Sequence, residues 1–175
     1  GYPLIQDTER DFVIGGDVLN RESDFIMKFA QNGEVQAFWE YPYDSGIRTS
    51  NPRELIDVDN GYLLISYKQI QNYESDIAVT KVNKHGKIIW KKKYGLLNKS
   101  ESIGSVWKAD ANTFVIGASR ETDVSHSTYP GAPNCYKSWI FAIDSTGEKQ
   151  WEWSGEPCEE SKVSGIHRTS DGGWI

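Results

Sequence analysis

Few side chains in this chain could do covalent or metal chemistry. Two cysteines occur, Cys135 in PNCYKSW and Cys158 in GEPCEE. They form no CxxC and no metal-ligand spacing, and neither lies in an apolar stretch, so the pair reads as a disulfide in preference to two free thiols. Such a bridge closes a loop of 23 residues, stabilises by about 3 kcal/mol on the chain-entropy account and requires an oxidising compartment. If the hairpin turn between the cysteines centres between Ser145 and Thr146, the pairing register places Cys158 opposite Pro133, two residues from Cys135. The three histidines, His85, His126 and His167, show no HxH or HExxH spacing and read as surface residues. Asp57-Val58-Asp59-Asn60-Gly61 has part of the spacing of a calcium loop, but its glycine comes one position early and Lys68 stands where the bidentate glutamate belongs. A hairpin turn is the expectation there. No GxSxG occurs, so a nucleophile elbow has no candidate serine. These residues point to no catalytic set, no cofactor and no metal site.

The elements that would position such groups repeat. The runs DFVIGG, GYLLIS and TFVIGA, and the opening GGWI of another, are apolar on both alternating faces, the pattern of a strand covered on both sides. Their aromatic markers Phe12, Tyr62, Phe114 and Trp174 recur 50, 52 and 60 residues apart. Each marker follows a polar turn, weakest at Glu9-Arg10 and rich in Asp, Asn and Gly at the other three. Each run is followed by a hairpin whose turn ends in glycine and whose second strand carries tryptophan: Asp24 to Trp39, Asp76 to Trp90 and Ser138 to Trp153. One repeat therefore holds four strand-sized segments, with boundaries near 6–56, 57–107 and 108–167 and the start of the next at 168–175. Four antiparallel strands recurring about every fifty residues predict the blades of a β-propeller, all-β with almost no helix. A β-sandwich, the main rival, predicts alternating faces and no fixed period. Three repeats and an opening are fewer than closed propellers usually hold, so the chain reads as part of a larger ring, or as one of two copies that complete one.

The third repeat carries an insertion, Glu121 to Tyr136. Tyr129, Pro130, Asn134 and Tyr136 are its candidate recognition residues, weighed against a plain solvated loop. The repeated tryptophans read as packing between sheets in preference to a carbohydrate-stacking surface.

A formal net charge of -6 and a pI near 5.1 argue against nucleic-acid or anionic-membrane partners, which call for basic patches. Lys91-Lys92-Lys93 is too short to reverse that and reads as a solubilising strand edge. No apolar window is long enough for a membrane helix, and no signal-peptide pattern opens the chain, which reads as a mature or excised segment.

FVIGG…DFIMKFAQNGEVQAFW, YLLIS…DIAVTKVNKHGKIIWKKKYG and FVIGA…WIFAIDSTGEKQWEW followed by TSDGGWI resemble the roughly fifty-residue repeats of secreted and surface-exposed bacterial propellers, frequent in Bacteroidetes proteins exported by type IX secretion. The hairpin AIDSTGEKQW is also similar to quinoprotein-type repeats, without their vicinal cysteines or calcium ligands. The resemblance implies a non-catalytic propeller at the cell surface or outside the cell, binding a protein or carbohydrate partner. The alternatives are the propeller portion of an enzyme whose active site lies in other blades, and a structural subunit of a surface or secretion assembly.

Overall fold

A computed structural model of the chain describes residues 2–18, 21–47, 49–70, 74–125, 134–157 and 163–173. The protein is all-β, with no α-helix among the described residues. Among the described residues twelve strands form three four-stranded antiparallel sheets. The first contains β1 (Leu4–Gln6), β2 (Phe12–Val18), β3 (Ser23–Phe29) and β4 (Val35–Pro42). The second contains β5 (Thr49–Val58), β6 (Gly61–Gln69), β7 (Ser75–Asn83) and β8 (Ile88–Tyr94). The third contains β9 (Glu101–Lys108), β10 (Thr113–Ser125), β11 (Asn134–Asp144) and β12 (Lys149–Ser154). In each sheet the strands lie side by side in chain order, as four consecutive strand segments per repeat require. The chain divides into two compact units, 1–94 holding the first two sheets and 95–175 holding the third.

The three tryptophan-bearing hairpins close by one mechanism. The amides of Gly33, Gly86 and Gly147 donate to the carbonyls of Ala30, Asn83 and Asp144, all at 2.9 Å. These glycines sit at φ 88°, 75° and 79°, the left-handed conformation of a three-residue hairpin loop whose last residue forms a bulge. A one-residue register shift then follows in each hairpin, at Lys28/Phe29, Lys81/Val82 and Ala142/Ile143. Asn83 Oδ1 and Asp144 Oδ1 each accept from two amides of their own turn, the side-chain equivalent of a backbone turn. The turn before β2 has the same form. Asp7 Oδ1 accepts from the amides of Glu9 and Asp11 at 3.0 Å, and Arg10 takes the left-handed position at φ 66°.

These loops correct the register expected for the third hairpin. The bulge and the three-residue loop shift pairing so that Trp139 faces Ser154 and Ala142 faces Trp151, two places away from a symmetric turn. The inserted stretch also differs from a plain loop. β10 and β11 extend into it, with Glu121 opposite Tyr136 and Ser125 opposite Asn134.

Each sheet has two faces, named here by the repeat. The leading face carries the position of Lys28, Lys81 and Ala142, and the trailing face carries the markers Phe12, Tyr62 and Phe114. The leading face of the first sheet packs against the trailing face of the second. Val13, Ile26 and Tyr41 meet Leu55, Tyr62, Leu64 and Val82, with Trp39 and Ile5 alongside. On β6 every residue from Gly61 to Ser66 is buried, so both of its faces are covered. That is the reason its sequence is apolar at consecutive positions. In the third sheet Val115 and Ala142 pack with Ile166, and a Cβ on Gly104 or Gly117 would collide with Val163. The chain after β12 thus lies on the leading face of that sheet and then turns at Thr169–Gly173, with Gly172 at φ 86°.

Candidate functional site

The interface between the first two sheets carries charge at both rims, four residues apart along β3. At one rim Lys28 enters a cage of acids. Its Nζ bonds to Glu9 and lies 3.0 Å from Asp11 Oδ2 and 3.2 Å from Asp7 Oδ2. Tyr62 Oη donates to Asp7 Oδ2 at 2.7 Å. Lys84 Nζ lies 2.7 Å from Asp57 Oδ1 and 4.3 Å above the Tyr62 ring, while the Thr8 amide donates to Asp57 Oδ2 at 2.8 Å. Burial alone would lower the Lys28 ammonium, but the bonds to Glu9, Asp11 and Asp7 carry it above the usual lysine range. Burial likewise works against the Asp7 carboxylate, and the bonds from Tyr62 and Lys28 overcome it and hold its pKa down. The oxygens of Asp7, Glu9 and Asp11 lie within 4.8 Å of one another, a spacing metal ligands could use. The cation they hold is the Lys28 ammonium. This rim is closed by its own ion pairs.

The other rim is open. Lys68 Nζ bonds to Asp24 and sits 4.4 Å from the centre of the Tyr43 ring. Burial lowers the Lys68 pKa despite Asp24, and burial raises that of Tyr43. Beside them lies a cavity of about 200 Å³, lined by Tyr43, Asp44, Ile47, Lys68, Thr80 and Lys91 among others. Lys91 Nζ is 3.7 Å from Asp44 Oδ1, and Lys93, also lining the cavity, is exposed. Ile47 and Ala78 make the wall apolar while lysines ring the mouth. Such a space suits a carboxylate or sulfate on a small apolar body. Among the described residues no histidine, cysteine or serine lines it.

A third charged cluster locks the third sheet. Arg120 Nε is 3.2 Å from Glu101 Oε1, and its guanidinium lies 3.5 Å from the centre of the Trp139 ring. Trp139 is stacked on Phe141 and donates from Nε1 to Glu152 at 2.9 Å.

The residues singled out in the sequence fall in several places. Cys135 is fully buried on β11, and its carbonyl accepts from Thr122 Oγ1; Cys158 lies outside the described residues. Tyr129 and Pro130 also lie outside them, Asn134 opens β11, and Tyr136 is half-buried opposite Glu121. His85 is exposed in its turn, His167 is exposed with its ring against Trp107, and His126 lies outside the described residues. Asp57–Gly61 is a hairpin turn, with Asn60 at φ 63°. The tryptophans divide. Trp39 packs on Tyr62 between the sheets, but Trp151 and Trp153 are 42% and 55% exposed, against the expectation of core packing. They stand on β12, an edge strand.

The cavity and both ion-pair rims are absent from the sequence reading. Their one signal is charge inside apolar strands, Asp24 and Lys28 on β3 and Lys68 at the end of the β6 run. The fold places the chain among all-β proteins built from repeated four-stranded sheets. Its sequence matches no protein-family model and no curated protein.

Proposed function

We propose that the three sheets are blades of a β-propeller and that the protein is a non-catalytic scaffold acting outside the cell or at its surface, where it binds a protein or glycan partner through an acidic group. The observation that carries this reading is the division of charge at the first sheet interface. At one rim every acid is engaged by a lysine or tyrosine of the scaffold, while at the other Lys91 and Lys93 stand at the mouth of a cavity. Sheets with the same strand order, the same glycine-closed hairpins and a two-sided apolar second strand support the propeller. An oxidising location follows from the proposed Cys135–Cys158 bridge.

The test is binding of the purified chain to arrayed acidic peptides and uronate or sulfated glycans. Binding should be lost on Lys91→Glu with Lys93→Glu while the far-ultraviolet circular dichroism is unchanged. Equal binding by that double variant would overturn the site. An experimental structure in which the sheets do not surround a common axis would overturn the propeller.

A further inference from the structure

Lys28 and Lys68 are both buried at the interface of the first two sheets, and their surroundings differ. Around Lys28 every oxygen of Asp7 is taken, Oδ1 by two amides of its turn and Oδ2 by Tyr62 and the ammonium itself. Lys68 Nζ bonds to Asp24 Oδ2, and Asp24 Oδ1, also buried, has no hydrogen-bond partner among the described residues. Lys68 lines the cavity together with Tyr43, whose ring is 4.4 Å from Nζ. The charges of Lys91 and Asp44, both cavity residues, bear on its ammonium.

The register puts three lysines on one face. Asp76, Ala78 and Thr80 alternate along β7 and lie opposite Lys68, Lys93 and Lys91 in turn, and cross-strand partners share a face. The trailing face of the second sheet thus carries one buried lysine, set against an acid of the first sheet, and two exposed lysines at the cavity. Burial works against the Lys68 ammonium, and Asp24 stands where it can take the proton. Those are the two conditions under which a lysine reacts as a neutral amine.

We propose that Lys68 is a covalent site for a small oxo acid, its amine condensing with the aldehyde while Lys91 and Lys93 hold the carboxylate. Lys68 passes a proton to Asp24, and its lone pair forms the bond to the carbonyl carbon as the C=O pair moves to oxygen. The nitrogen then gives a proton to that oxygen and Asp24 returns its own. The oxygen leaves as water while the nitrogen lone pair closes the C=N bond. The product is a cationic imine beside the Asp24 carboxylate, so the buried ion pair survives the reaction and neither charge is left alone. The cavity, about 200 Å³, is smaller than the roughly 300–1,000 Å³ of pockets for drug-sized ligands, which limits the acid to a few carbons. The site shares its mouth with the acid-binding reading above and rests on it.

Glyoxylate tests the proposal on the purified chain, with cyanoborohydride to reduce the imine. At limiting glyoxylate the intact mass should gain one carboxymethyl group. Proteolytic mapping should place it on Lys68, reacting about tenfold faster than the exposed lysines. Unfolding in urea should abolish that preference. Lys68→Met with Asp24→Leu removes the pair without leaving a buried charge, and should lose the fast site while keeping the parent circular dichroism. Acetaldehyde, which lacks the carboxylate, separates the two readings. Lys91→Glu with Lys93→Glu should lose the fast reaction with glyoxylate yet react with acetaldehyde at Lys68 as the parent does. Labelling of Lys68 by both aldehydes no faster than the exposed lysines would overturn the covalent site, whatever the acid arrays show. Fast labelling by glyoxylate that the double variant leaves unchanged would overturn the anchoring of the carboxylate, and with it the acid-binding mouth.

Discussion

Lysine stands at this position in the first two repeats, as Lys28 and Lys81, and the structure gives Lys28 a cause. Removing its ammonium leaves Asp7, Glu9 and Asp11 facing one another with Asp7 fully buried. Lys28→Met should therefore cost about 3–5 kcal/mol at neutral pH, the usual penalty for breaking one side of a buried pair, read by urea denaturation. The pH dependence should change sign as well. In the parent the folded pKa of Asp7 is depressed, so its contribution is present above the unfolded value of about 3.9 and lost as pH falls through the folded one. In the variant the buried Asp7 carboxylate loses that ammonium, and stability should recover as pH falls from 7 towards the unfolded carboxylate value of about 4. Lys68 and Asp24 give a different outcome because the pair is small and bordered by apolar groups. Lys68→Met alone should cost about 3 kcal/mol, whereas adding Asp24→Leu should restore most of the loss, as apolar replacement of both partners often does. A double-substitution cycle checks this, and full additivity of the two losses would refute the pairing.

At the scale of elements, the tryptophan-bearing hairpins are governed by their glycines, yet the three are not equivalent. Gly33 and Gly86 share a left-handed φ, which costs a non-glycine residue about 1–2 kcal/mol. Of these two, Gly86 lies against a neighbour, the Trp39 ring of the preceding sheet, and Gly33 does not. Gly33→Ala should lose only the conformational cost. Gly86→Ala should lose about 1–3 kcal/mol beyond it, through overpacking. Thermal unfolding of the two variants side by side measures the difference, and equal losses would show that Trp39 moves aside freely. These turns were legible in the sequence because their determinants are local: a glycine at the left-handed position and an Asn or Asp that bonds amides of its own turn, Asn32, Asn83 and Asp144. Their register was less legible, since a bulge one rung beyond the turn leaves no residue type as a mark.

For the whole molecule, the proposed disulfide is open to a direct test. Cys135 lies in the unit holding the third sheet. The pairs from Ala142–Trp151 to Trp139–Ser154 keep a constant offset, and a Cys135–Cys158 bridge would continue it. Intact mass should rise by two hydrogens on reduction, and reduction should cost about 3 kcal/mol, read by thermal unfolding. An unchanged mass on reduction would exclude the bridge.

The sequence by itself determined the strand content, the fifty-residue repeat, the four strands of each sheet and the glycine-closed hairpins, because periodicity and turn chemistry act over a few neighbouring residues. Only the tertiary structure decided which charges meet. Tyr62 and Asp7 are 55 residues apart, and Lys68 and Asp24 are 44 apart, so nothing local marks them as partners. It also decided which tryptophans are covered. Trp39 and Trp153 occupy the same place in the repeat, and burial depends on whether another sheet lies against that face.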